Sequence, residues 1–192
     1  CQVIKVQIKF FKQNLPRLKS LLAFEYGQEE WEDCWKKWGL YYRSEMKERF
    51  DIYSKGGGDW APLKPSTIYR RRHGKGGRYK RGKKAYLKAL ATGGGQVSIL
   101  RDTGTLFNAL SPTLGKLGQR QDIYKNGVGV GFADVPHPRG GTATIAQIAS
   151  YHQTGGKHLP KREILVEPND TTKLQMVRYA EQTMQKLLKG MK

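Results

Sequence analysis

Three sets of residues in this chain have types suited to chemistry: a histidine beside a glycine turn, a scatter of carboxylates, and a dense run of arginines and lysines. His152 stands in Tyr151-His152-Gln153-Thr154-Gly155-Gly156, where an imidazole would qualify as a general base or a metal ligand. His73, His137 and His158 do not stand at metal-ligand spacings from it, and neither cysteine joins them. These spacings favour a histidine that bridges a helix end and a loop. A nuclease needs clustered carboxylates to hold a divalent cation. The acids gather instead at Glu29, Glu30, Glu32 and Asp33, where the start of a helix explains them. Asp59, Asp102, Asp122, Asp134, Glu163 and Glu167 fall singly at expected caps, turns and strand ends. No phosphate-binding Gly-x-x-x-x-Gly-Lys-Ser/Thr loop and no Gly-x-Ser-x-Gly elbow occurs. Gly127-x-Gly129-x-Gly131 alternates along a strand rather than opening a helix. The expectation is a protein that is not an enzyme and carries no cofactor or metal.

The basic run is the remaining signal. Between Asp59 and Asp102 there is no acid, whereas Arg70, Arg71, Arg72, Lys75, Arg78, Lys80, Arg81, Lys83, Lys84 and Lys88 all fall there. Such a density of one sign repels itself unless phosphate, acidic side chains or solvent surround it. These residues are candidate contacts for DNA phosphates or for an acidic protein partner, with bare solvation as the third option. Tyr69, Tyr79 and Tyr86 interleave with them, yet no RNA-recognition or helix-turn-helix signature surrounds them.

The whole chain leans the same way. Its 192 residues carry a formal charge of +19, which points to nucleic acid or an acidic surface, while 38% hydrophobic content suffices for one core. Cys1 and Cys34 are too few for a disulfide framework, so a reducing cytoplasm is expected. No run approaches the roughly 20 apolar residues of a membrane span, so no membrane partner is expected. The first residues lack the apolar core of a signal peptide.

The elements that would position these residues follow from periodicity. Ile4, Val6, Ile8 and Phe10 alternate with polar residues as in a strand wet on one face. A short helix is expected from Asn14 and Pro16 to Gly27, with Leu15, Leu18 and Leu22 on one face. Trp31, Trp35, Trp38, Tyr42, Met46, Phe50 and Tyr53 step by three or four through a long amphipathic helix, with Lys47 and Arg49 near its end. That aromatic stripe reads as core or subunit interface ahead of a platform for bases. Gly56-Gly57-Gly58 ends the helix, Trp60 and Leu63 anchor an irregular turn, and Pro65 starts the next helix. The stretch 73–95 is expected to be a basic, glycine-rich surface loop inserted in a single domain spanning 1–192. Asp102 is expected to cap a helix carrying Leu106, Phe107 and Leu110. Asn126-Gly127 signals a hairpin between Ile123-Tyr124 and Val128–Phe132. Ile145, Ile148, Ala149 and His152 share a short helix, Ile164 to Val166 a strand, and Leu174, Val177, Ala180, Met184 and Leu187 one face of a last helix capped near Asn169 or Asp170. The class is α+β, with helices on a small, mainly antiparallel sheet.

Five segments in this order also resemble a known family. Trp60-Ala61-Pro62-Leu63-Lys64-Pro65-Ser66-Thr67, Leu100-Arg101-Asp102-Thr103-Gly104-Thr105-Leu106, Val128-Gly129-Val130-Gly131, Tyr151-His152-Gln153-Thr154-Gly155 and Pro160-Lys161-Arg162-Glu163 are similar to motifs of the phage virion morphogenesis family, the tail-completion proteins of tailed bacteriophages typified by the phage Mu G protein. Arg49-Phe50 ends the long helix before the turn, as in that family; Lys64 departs from it, standing where Ser or Thr is usual. The resemblance makes Trp60, Pro62, Leu63, Thr67, Leu100, Thr103, Gly104, Leu106, His152, Gly155, Pro160 and Arg162 structural motif residues. It implies a virion component assembled in the host bacterial cytoplasm as a homo-oligomeric ring of six copies, or twelve, at the head-tail junction or top of the tail. Its partners would be neck, connector, portal, tail-terminator or tail-tube proteins, with DNA possible in the lumen. The charge alone supports the other reading, a sequence-nonspecific nucleic-acid-binding protein.

Overall fold

A computed structural model describes residues 4–7, 27–73 and 97–190. The expected helix at 14–27, the strand positions Ile8 and Phe10, and the basic loop with Lys75, Arg78, Lys80, Arg81, Lys83, Lys84 and Lys88 lie outside these residues, apart from the backbone of His73. The element order is β1 (Ile4–Gln7), α1 (Gln28–Ser54), α2 (Pro65–His73), α3 (Thr105–Ala109), β2 (Gln119–Tyr124), β3 (Gly127–Phe132), α4 (Ile145–Thr154) and α5 (Asp170–Gly190). The architecture is α+β: a three-stranded antiparallel sheet in the order β1-β3-β2, with α1 and α4 against its central strand and α5 on α1.

The core follows the stripe on α1. Trp31, Trp35, Trp38, Tyr42, Met46 and Phe50 are all buried, because a spacing of three and four keeps them on one side of a helix turning every 3.6 residues. The three tryptophans of α1 are at most 1% exposed, so they offer no stacking platform to a base. Trp35 stacks near Trp31 at 5.4 Å and meets Trp38 edge-on at 4.7 Å. At the far end, Trp60 folds back edge-on against Phe50 at 5.0 Å and Tyr53 at 5.7 Å. The helix starts without a side-chain cap, since Gly27 takes a left-handed conformation, and Glu29 and Glu30 complement the dipole of its first turn. Lys47 and Arg49 lie more than a turn before its end. They cover rings instead: the Lys47 ammonium stands 5.0 Å from the Phe107 centroid and the Arg49 guanidinium 4.1 Å from that of Tyr53.

β3 is buried along its whole length, as expected of the central strand beneath a helix. The hairpin forms one residue earlier than the Asn126-Gly127 signal suggests. Tyr124 pairs with Gly127, so Lys125 and Asn126 make the turn, and neither takes the positive φ of a primed turn. Three further corrections apply. Asp102 does not cap α3; Gly104 does, at φ 71, and the Asp102 side chain pairs with Arg71 and Arg139 instead. Residues 164–166 are not a strand, because their backbone is bound by a side chain, that of Gln153. On α5 the buried residues are Thr172, Met176, Ala180 and Leu187, while Leu174 and Val177 face outward at 54% and 37% exposure. The helix carries two apolar stripes, and the one with the small Ala180 and Thr172 approaches α1. Asn169 caps α5, its Oδ1 accepting from the Thr172 amide at 2.8 Å.

Candidate functional site

The chain leaving α1 at Trp60 and the chain leaving α4 at Gly155 are cross-braced, and the bracing makes a cleft. Arg162 is 4% exposed, and its Nε and Nη2 donate to the Ala61 carbonyl at 3.2 and 2.9 Å. Its own amide donates to the His152 carbonyl at 2.7 Å. Trp60 Nε1 donates to the Glu163 carbonyl at 3.2 Å. Gly155 is required where the two chains cross. It sits at φ 71, and a Cβ there would lie 2.9 Å from the Lys161 amide nitrogen.

The resulting cleft has a volume of about 580 Å³ and is lined by Pro62, Leu63, Thr67, Leu100, Pro160 and Arg162, together with Lys64, Arg71, His152, Lys157 and His158. Seven of the motif residues expected from sequence thus share one wall system: Pro62, Leu63, Thr67, Leu100, His152, Pro160 and Arg162. Trp60 and Gly155 stand behind it as bracing. Thr103 and Gly104 form the turn into α3, where Leu106 enters the core. Of the basic set, the structure brings Arg71 into the cleft; its Nη1 donates to the Ser98 carbonyl at 2.8 Å, and its Nε lies 3.5 Å from Asp102. Arg70 and Arg72 share α2 with it.

No Asp or Glu lines this cleft among the described residues. The field shows in His152, whose pKa falls from the usual 6.5 to about 4, first through burial and then through the nearby Arg162 and Arg71 cations. Leu100 at the rim holds φ 58, the one non-glycine residue with positive φ among those described. A bulky side chain in this region costs about 1 kcal/mol or more. The cleft therefore combines rigidly held cations, an apolar wall and local strain, an arrangement suited to receiving an anionic group.

A second groove of about 700 Å³ runs past Lys47, Thr103, Thr105, Asn108 and Arg139. In it Thr103 Oγ1 lies 3.2 Å from His137 Nε2, a pairing that resembles a nucleophile and its base. The Arg139 amide donates to His137 Nδ1 at 3.3 Å, so in the neutral ring the proton sits on Nε2 and donates toward Thr103. Held that way, the imidazole does not accept the hydroxyl proton. Among the described residues no group of three or more His, Cys, Asp or Glu could hold a metal ion, and no helix is long and apolar enough to cross a membrane.

Sequence reasoning missed Lys64 and Lys157 as cleft residues, because exposed lysines follow no period. Gln153 was visible within its motif, but nothing in the pattern marked its side chain as a substitute for a strand partner. Arg43 was missed altogether: it lies on the buried side of α1 at 0% exposure and, among the described residues, bonds only to the Arg120 carbonyl, at 2.8 Å. Comparison with protein-family models, with curated proteins and with solved structures gives no match for this chain.

Proposed function

We propose that this chain is a structural virion protein of a tailed bacteriophage, a ring-forming neck or tail-completion subunit that joins the DNA-filled head to the tail. One observation carries the reading: four motif segments far apart in sequence, at 60–67, 100–106, 151–155 and 160–163, meet around a single braced cleft. The fifth, 128–131, lies in the central strand beneath α1. A braced junction with a charged recess suits a protein that works by docking. A ring repeats one contact between neighbours, so a subunit of this size gains a large total interface from a modest patch. Its partners in this reading are further copies of itself, portal or connector proteins on one side and tail-terminator or tail-tube proteins on the other.

The test is genetic and compositional. Deleting the gene from its phage should leave filled heads and separate tails, and mass spectrometry of purified wild-type virions should detect the chain in a small fixed copy number. Complete particles without the gene, or virions lacking the protein, would overturn the reading. The charge of +19 supports a second reading, a sequence-nonspecific nucleic-acid-binding protein. That reading requires the isolated monomer to bind DNA tightly, with log K falling linearly against log salt.

A further inference from the structure

The geometry points to a head-to-tail contact in which the basic cleft of one subunit receives the acidic first turns of α1 from a second copy of this chain. This rests on the ring reading above and names the two surfaces that would make it.

The two surfaces complement each other in charge and in position. The chain has 16 acidic residues, and four of them fall within the five positions 29–33. Glu29, Glu32 and Asp33 are exposed there. Asp33 pairs with Lys37, and Glu30 approaches Lys186, whereas Glu29 and Glu32 make no ion pair among the described residues. The cleft is the opposite surface in sign: Lys64, Lys157 and Arg162 line it together with Arg71, which Asp102 approaches at 3.5 Å from outside the lining. Arg162 commits Nε and Nη2 to the Ala61 carbonyl, so its charge is fixed in place before any partner arrives. The Arg162 and Arg71 charges that disfavour protonation of His152 would be relieved by an incoming carboxylate.

Position makes the complementarity directional. The acids begin α1, and the cleft lies past its other end, where Trp60 packs on Phe50 and Tyr53. A helix of 27 residues separates the two by about 40 Å. Two different patches at opposite ends cannot satisfy each other within one subunit. They define a heterologous contact, which propagates from copy to copy and closes if the rotation per step allows. The cleft volume of about 580 Å³ admits a few side chains rather than a duplex. Its apolar wall of Leu63, Leu100 and Leu159 also suits a protein surface better than a phosphate backbone.

The experiment is sedimentation velocity on the full chain over a range of concentrations, at 50 and 500 mM NaCl, where the screening length is roughly 14 and 4 Å. It compares wild type with two double variants, Glu29→Lys/Glu32→Lys and Lys64→Glu/Lys157→Glu. All four positions are exposed and outside the hydrogen bonds that brace the cleft. Wild type should assemble, more weakly at high salt; each variant alone should assemble at least tenfold more weakly; an equimolar mixture of the two should recover assembly, because the reversed charges again face their opposites. Recovery in the mixture also shows that both variants are folded. Weakening without recovery rejects the pairing. Variants that assemble like wild type reject this contact and leave the ring reading standing, whereas wild type that stays monomeric throughout overturns the ring reading itself. If Lys64→Glu/Lys157→Glu loses affinity for DNA and keeps its assembly, the cleft belongs to nucleic acid and the contact is wrong.

Discussion

His152 is half-buried and Arg43 fully buried, and their surroundings treat these two cationic side-chain types differently. His152 escapes its charge: burial, Arg162 and Arg71 lower its pKa to about 4 in the fold, against 6.5 unfolded. A depressed pKa means that the unfolded chain binds more protons between these values. The contribution is therefore fully present above pH 6.5 and is lost as pH falls toward 4. Between pH 7 and 5, wild type should lose about 1–2 kcal/mol more unfolding free energy than His152→Gln, after discounting for partial exposure. Parallel urea titrations at the two pH values check this, and identical pH slopes for the two proteins would refute it. Arg43 has no such escape. Burial lowers its pKa, yet a guanidinium remains charged, and its Nε and Nη1 have no hydrogen-bond partner among the described residues. Because the desolvation is incompletely offset, Arg43→Met should raise stability by about 1–3 kcal/mol. A loss of stability on chemical denaturation would show that the single bond to the Arg120 carbonyl outweighs the desolvation.

At the scale of elements, one side chain replaces a strand. Gln153 Oε1 accepts from the Ile164 and Leu165 amides at 2.8 and 3.1 Å, and its Nε2 donates to the Leu165 carbonyl. Tyr42 donates to the Val166 carbonyl at 2.6 Å, tying the same segment to α1. Four of the six backbone polar groups of 164–166 thus find side-chain partners without a ladder, so an apolar run that reads as a strand in sequence forms none. Gln153→Ala would strip partners from two amides and a carbonyl at once. It should cost about 3 kcal/mol and loosen the loop that carries Arg162. Faster amide exchange at Ile164 and Leu165 is the specific sign; unchanged exchange there would reject the role. What was legible in the sequence follows the same logic. The α1 stripe, the presence though not the register of the hairpin, the start of α2 at Pro65 and the span of α4 were readable because periodicity and local sequence determine them. The phase of α5, the cap of α3 and the segment 164–166 were not, because each is decided by a partner distant in the chain. Of the twelve residues singled out by resemblance, seven line the cleft and two brace it, which only tertiary contact shows, as it shows that Lys64 and Lys157 belong with them.

For the whole molecule, the balance to decide is between ion pairs that salt weakens and a net charge whose repulsion salt also weakens. The ion pairs among the described residues are surface features: in each of them at least one side chain is about a third or more exposed, as in Lys37–Asp33 at 56% and 60%. Pairs of that kind contribute a median of about 0–1 kcal/mol each, and screening removes only part of it. Against them stands a formal charge of +19 on 192 residues, with the compact state holding its like charges closer together than the unfolded chain does. Shortening the Debye length from roughly 14 Å at 50 mM to 4 Å at 500 mM NaCl removes most repulsion beyond nearest neighbours. Repulsion outweighs the pairs, so added salt should stabilise the fold, raising Tm by roughly 5 °C over that range for a protein of this size. Differential scanning calorimetry at 50 and 500 mM NaCl reads it directly. The measurement belongs on dilute protein, because assembly at the cleft would add a salt dependence of opposite sign. A Tm that falls with salt in the monomer would mean that the surface pairs carry more of the stability than their exposure allows.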